Sequence, residues 1–168
     1  LATAYTVSQG IKKAGDFDLI ICGKQTTDGD TAQVGAEVAE FLNLPNVANV
    51  LSVKEVDQNK IVVTASQDDK VVEMSVKLPC LISVDGDINT PRLPSYKVKK
   101  NITDDMIEFL SLDDFDDQNV NNYGLSGSAT QVERIFPPEK NNEKHSIEGT
   151  PQEQADELYT LVRRIKLV

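Results

Sequence analysis

Histidine is nearly missing from this chain: His145 is the single one in 168 residues. A nucleophile–histidine triad would have to rest on that side chain, in a charged stretch (residues 140–149) that reads as mobile, so none is expected. Ser126-Gly-Ser128 lacks the spacing of a nucleophile elbow. Tryptophan is absent, and four Tyr with five Phe supply no stacking platform for single-stranded nucleic acid. The two cysteines, Cys22 and Cys80, form neither a disulfide framework nor a zinc spacing. Each borders an apolar run, which suits reduced core residues in a cytosol-like, cytoplasmic compartment rather than an oxidising one. No apolar run approaches the roughly 20 residues of a membrane span. Positive charge is short too. Seventeen Lys and Arg against 27 Asp and Glu leave a net charge of −10, which repels phosphate backbones and anionic membrane surfaces.

What is present reads as an α/β protein with a core of ordinary size, at 39% apolar and 26% charged residues. Leu1, Ala4, Val7, Ile11 and Ala14 fall at helical spacing up to Gly15. With no capping residue before Leu1, the chain reads as lacking an earlier portion. Residues 17–23 read as a buried parallel strand, and a second helix is expected over residues 31–43 with Val34, Val38, Phe41 and Leu42 as its stripe. That order is the one doubly wound folds show. Val47, Val50, Val53 and Val56 suggest a strand, residues 60–67 and 71–78 a hairpin, and residues 80–84 a return to the main sheet. Residues 85–101 read as a loop carrying Arg92, Lys97, Lys99 and Lys100, a local charge reversal that points to a docking surface or an acidic neighbour. The acidic run from Asp104 to Asp117 is the expected neighbour, as a solvated face with no metal site. A short strand is expected over residues 130–136. The last helix is marked by Thr150 as cap, Pro151 and the capping-box Glu153. Ala155, Leu158, Leu161, Val162 and Ile165 line one face of it, and Arg163, Arg164 and Lys166 sit near its negative end. Two parts are expected: an α/β domain over residues 1–136 and a linker with its helix over 137–168.

The strongest site candidate is the turn after the first strand, Gly23-Lys-Gln-Thr-Thr-Asp-Gly-Asp-Thr-Ala-Gln-Val34. Strand, glycine-bearing loop and helix start leave backbone N–H groups free for an anion. Gly23 and Gly29 suit positive φ. Thr26, Thr27 and Thr31 bring hydroxyls, and Gln33 and Val34 bring N–H groups. Asp28 and Asp30 would repel a phosphate if aimed at it and are expected to shape the loop through Asx turns. Lys24 is not a Walker lysine, since the spaced glycine and the following hydroxyl are missing. From pattern alone, a plain strand-to-helix turn remains the other reading.

The run from Gly23 through Asp-Gly-Asp-Thr-Ala-Gln-Val to Gly35, with Ile88-Asn89-x-Pro91-Arg92 and the lysine cluster after it, resembles the beta subunit of electron transfer flavoprotein. The likeness covers essentially the whole chain, without the family's first strands and helices. It implies a Rossmann-like fold (adenine nucleotide alpha hydrolase-like): a mostly parallel sheet flanked by helices, with a hairpin excursion and a C-terminal docking arm. It implies pairing with an alpha subunit and transfer of electrons, the chemistry being a cofactor's and no side chain being catalytic. Ordinary members hold AMP. Electron-bifurcating members hold FAD there and pass electrons from NADH to acyl-CoA dehydrogenase-type and low-potential (ferredoxin or flavodoxin) acceptors. The segment Tyr123 to Pro138 resembles the clostridial, bifurcating kind, which favours FAD. By position, the nucleotide contacts fall on Gly23, Lys24, Gln25, Thr26, Thr27, Asp28, Gly29, Asp30, Thr31, Ala32, Gln33 and Val34, with Thr3 beside the flavin. The recognition loop falls on Pro91, Arg92, Leu93, Tyr96, Lys97, Lys99 and Lys100, with Leu93 as anchor. An adenine-nucleotide hydrolase or sensor on the same scaffold, or a nucleotide-free interaction module, are the alternatives of another class.

Overall fold

Two clusters of buried apolar side chains build this protein, one on each face of a single sheet. The computed structural model describes residues 1–138, 140, 144 and 146–165. They divide into two compact units, Leu1–Gln131 and Val132–Val168. The first unit runs α1 (Ala2–Ala14), β1 (Leu19–Gly23), α2 (Val34–Leu42), β2 (Asn46–Val56), β3 (Lys60–Gln67), β4 (Lys70–Lys77), β5 (Cys80–Val84) and α3 (Tyr96–Lys100). The sheet order is β1-β5-β2-β3-β4. Strands β1, β5 and β2 are parallel, while β2, β3 and β4 pair antiparallel, so the sheet is mixed and the α/β class with its hairpin excursion stands.

Strand β5 explains the two clusters. Alternate residues point to opposite faces: Leu81 joins Ala4 of α1 and Val38 and Ala39 of α2, with Ile20 and Cys22 beside them. Cys80 and Ile82 join Val47, Val50, Ile61, Val63 and Ala65 on the other face. Ile61, Leu81 and Ile82 are fully buried, each stabilising the fold by about 1.5–3 kcal/mol. Both long helices of this unit pack into the same cluster, so they cover one face of the sheet.

The element ends depart from the sequence reading at specific places. Helix α2 begins at Val34 rather than near Thr31, because Asp30 (φ 52) and Ala32 (φ 55) take left-handed backbone that no helix can include. The valines of β2 recur every third residue, a spacing a regular strand would not bury. Of these only Val47 and Val50 are buried, whereas Val53 and Val56 are exposed. Between Val47 and Val50 the pairing with β5 is irregular, where Asn49 takes φ 56. Two further irregularities, between Val50 and Ser52 and between Val53 and Glu55, interrupt the pairing with β3. Residues 130–136 form no strand. Among the described residues they have no neighbouring strand to pair with, and apolar content alone does not make one. The stretch 85–101 is not all loop: Ser95 caps α3, accepting from the Val98 N–H at 3.5 Å. Lys97, Lys99 and Lys100 make no ion pair with the acidic run among the described residues.

That acidic run has other work. Asp117 accepts from the Tyr5 hydroxyl on α1, from Asn122 Nδ2 at 2.6 Å and, through its other oxygen, from Asn119 N–H at 2.9 Å. Its carbonyl accepts from the Tyr123 hydroxyl at 2.5 Å. The Tyr5 ring lies 5.1 Å from Phe41 and 5.3 Å from Tyr123, and Tyr123 stacks on Phe115 at 6.0 Å. These contacts fasten residues 115–123 to α1. Gly127 closes the next turn, where a Cβ would meet the Asn122 carbonyl at 2.3 Å.

In the second unit, α4 (Pro151–Arg164) starts as its sequence says. Thr150 N–H and Oγ1 both bond Glu153 Oε2 at 2.8 Å, Pro151 holds the first position, and the helix buries none of its own residues. His145 and Lys166 lie outside the described residues. No helix among the described residues is long and apolar enough to cross a membrane.

Candidate functional site

The site forms where the C-terminal ends of β1 and β5 meet the start of α2. Crevices outside the carboxyl ends of parallel strands are where open α/β sheets hold ligands. β1 gives Cys22 and Gly23. Its backbone continues to Lys24, whose N–H bonds the Val84 carbonyl of β5 at 3.0 Å. Lys24 Nζ reaches Asp85 Oδ2 at 3.3 Å. Asp85 is held below the ordinary carboxylate range first by the Asp87 N–H and then by Lys24.

Beyond Lys24 the loop rises and returns as α2. A cavity of about 270 Å³ lies between them, lined by Thr3, Cys22, Gly23, Lys24, Gln25, Thr26 and then by residues 31–35. The first intrahelical bond of α2 runs from Glu37 N–H to the Gln33 carbonyl, and the Gln33 side chain caps nothing. The N–H groups of Val34, Gly35 and Ala36 therefore precede the helix ladder, at the positive end of its dipole. This donor set suits a phosphate: free backbone N–H groups, one ammonium and the Thr31 hydroxyl, around a space open on one side.

The acids of the loop are turned to its own structure. Asp28 accepts from the Thr26 hydroxyl and from backbone N–H groups, which depress its pKa. Asp30 accepts from the Gln25 amide. Thr27, Asp28, Gly29 and Asp30 do not line the cavity; they form the crest that carries Thr31 to its place. The positive φ expected at Gly23 and Gly29 falls instead on Asp30 and Ala32, so the strained positions of the loop bear side chains. The remaining residues proposed for the nucleotide come together around the cavity, Thr3 among them.

Two lining residues were not singled out by sequence reasoning. Gly35 sits in the first turn of α2, and a Cβ there would lie 2.7 Å from Cys22 Sγ. The pair sets how closely the helix start approaches β1. Burial pushes the Cys22 thiol pKa up, so Cys22 is neutral packing rather than a nucleophile. The signal in the sequence was the adjacency of Val34-Gly35 to the loop, with no means of seeing its partner. The residues expected to meet a partner, Pro91, Arg92, Leu93, Tyr96, Lys97, Lys99 and Lys100, are all exposed, Leu93 at 94%.

An uncapped helix start, a parallel strand end and one cation surround a cavity in an α/β protein, an arrangement whose donors suit an anion. Residues 1–105 match the electron transfer flavoprotein domain. The chain belongs to the electron transfer flavoprotein family. It is 35% identical over 155 residues to the electron transfer flavoprotein subunit beta of Clostridium acetobutylicum, covering 92% of this chain and 59% of that protein. It is 37% identical over 148 residues to the subunit beta of Megasphaera elsdenii, covering 82% and 53%. With the caffeyl-CoA reductase-Etf complex subunit CarD of Acetobacterium woodii it shares 34% over 151 residues, covering 89% and 56%. The chain thus spans between half and two thirds of the length of these relatives.

Proposed function

We propose that this chain is the nucleotide-holding portion of an electron transfer flavoprotein beta subunit that binds FAD and works with an alpha subunit. The observation that carries the reading is the uncapped start of α2 opening on a cavity with Lys24 and Thr31. Val34, Gly35 and Ala36 N–H, Lys24 and Thr31 would hold the phosphates, and the crest from Thr27 to Asp30 fixes their positions. FAD, when bound, supplies hydride acceptance and single-electron transfer; the side chains bind and orient it. The likeness to a subunit of a caffeyl-CoA reductase complex supports a CoA-ester dehydrogenase or reductase as the redox partner and favours the bifurcating version, from NADH to a ferredoxin- or flavodoxin-type acceptor. The exposed segment from Pro91 to Lys100, with Leu93 at its tip, is the partner contact on this reading.

The test is a cofactor count on the full-length protein co-expressed with its alpha subunit. Two flavins per heterodimer support the proposal. One flavin with one AMP selects the ordinary, non-bifurcating version. A heterodimer in which this subunit retains no nucleotide contradicts both.

A further inference from the structure

Lys24 is the one charged side chain among the described residues that line the cavity at the start of α2. Its ammonium is already engaged, with Asp85 Oδ2 standing 3.3 Å from Nζ. The pairing is built into the sheet. Gly23 and Val84 are register partners on adjacent parallel strands, so the residues that follow them, Lys24 and Asp85, leave the sheet side by side. Asp85 is then held in place. Its N–H bonds the Val50 carbonyl of β2 at 2.9 Å, its carbonyl accepts from the Ile88 N–H at 3.2 Å, and Oδ1 accepts from the Asp87 N–H at 3.2 Å. Ile88 in turn packs on the buried cluster that contains Val50 and Ile82. The Asp87 N–H and then Lys24 hold the Asp85 carboxyl below the ordinary range, so it is ionised at neutral pH. A fixed carboxylate cannot follow the ammonium elsewhere, and Lys24 brings the cavity a charge that Asp85 offsets.

The other charges on the surrounding elements are negative too. Asp87 follows Asp85, Asp28 and Asp30 stand on the crest of the loop, and Glu37 lies in the first turn of α2, paired with the Leu1 amino group at 3.3 Å. The lysines of α1, Lys12 and Lys13, are in its last turn, away from Thr3. What remains for an anion is the two unused ammonium donors, the Thr31 hydroxyl and the N–H groups of residues 34–36. Such a set suits one negative charge on a phosphorus better than two. The second charge gains little from an offset ammonium and is repelled by the fixed carboxylates. We propose that Asp85 is a specificity-determining residue, which makes this a site for a singly charged phosphate: a diester or the inner linkage of a dinucleotide, against a terminal phosphomonoester. The inference rests on the phosphate reading of the cavity and deepens it, by naming the charge class of phosphate that the cavity selects.

The test uses the full-length protein with its partner subunit, stripped of nucleotide and titrated with AMP and with the phosphate methyl ester of AMP. The ester keeps one charge throughout, whereas the phosphate of AMP takes its second near pH 6, at about the pKa of a phosphomonoester. The measurements run from pH 5 to about 7, below the range of an amino terminus. Over that range the ratio of the Kd for AMP to the Kd for the ester rises about fivefold or more in the parent, toward the roughly tenfold limit that a pKa of about 6 sets. A histidine titrating in the same range acts on the ester as well, whose own profile is the baseline. In Asp85→Asn, which keeps the oxygen that accepts from Asp87, the ratio stays within about twofold, and AMP binds severalfold more tightly at the upper pH than it does to the parent. A parent ratio that is flat or falls with pH overturns the proposal without any variant. So does a rise that persists in full in Asp85→Asn, and both results leave the phosphate site standing. Full retention of both ligands in Thr31→Val removes the phosphate reading and the proposal with it, as does a parent protein that binds neither ligand.

Discussion

Gly35 and Cys22 show how little freedom the site leaves its residues. A methyl at Gly35 would stand 2.7 Å from a sulfur that has only one rotatable bond to move about. Gly35→Ala is expected to cost about 1–3 kcal/mol through overpacking, offset by up to ~1 kcal/mol of better helix propensity. Thermal unfolding measures the difference. In a Cys22→Ala background the same change should become neutral or stabilising, and a penalty that persists there would assign it to something other than the sulfur. Thr31 bears on function rather than stability. Thr31→Val should weaken nucleotide binding by roughly 1.5–3 kcal/mol, the worth of a charge-assisted hydrogen bond to phosphate, with the melting temperature unmoved. Equal nucleotide retention in parent and variant would separate Thr31 from the ligand.

At the scale of elements, the fastening of residues 115–123 to α1 depends on protonation. The Tyr5, Asn119 and Asn122 donors hold the Asp117 pKa below its ordinary value, and the bond to Asp117 pushes Tyr5 up to about 12. A carboxylate depressed in the folded state contributes stability above its unfolded pKa of about 3.9 and loses it as pH falls through the folded value. A phenol raised in the folded state contributes fully below about 10 and loses that as pH rises through about 12. The contact is therefore complete between about pH 4 and 10 and loosens on either side. Amide exchange over residues 115–123 should quicken at both ends of that window in the parent and lose its dependence in Tyr5→Phe at the alkaline end. Helix α4 offers a simpler case. Thr150→Ala removes the hydroxyl arm of the capping box and leaves the backbone N–H of residue 150 bonded to Glu153, at a cost of about 1 kcal/mol, read as faster exchange in the first turn of the helix. That cap was legible in Thr150-Pro-Gln-Glu153 because its chemistry is local, and so was the β3–β4 hairpin with its alternating valines. What was not legible depends on distant partners: the shift of the α2 start by Asp30 and Ala32, the irregularities of β2, the absence of a strand at 130–136, and the use of Asp117 as a fastener rather than a solvated acid.

For the whole molecule, the proposed division of labour is between the sheet end beside the start of α2, as the ligand site, and an exposed apolar arm. Leu93, Tyr96 and Phe109 are each at least 80% exposed, which suits the partner contact proposed for this stretch. Leu93→Ala is expected to slow electron delivery to the redox partner severalfold, as loss of an interface anchor does, with nucleotide content unchanged. An unaltered rate would place the contact elsewhere. The order of strand end, glycine-bearing turn and helix start was legible in the sequence, whereas the lining of the cavity they form, with Thr3 from α1 and Cys22 against Gly35, came from the tertiary structure. The central claim is that the start of α2 holds the nucleotide's phosphates. It is tested most directly by hydrogen exchange on the full-length protein, stripped and then reloaded with FAD. Protection on loading is predicted at the Val34, Gly35 and Ala36 amides. Protection confined to other parts of the chain, with those three amides exchanging as before, would contradict it.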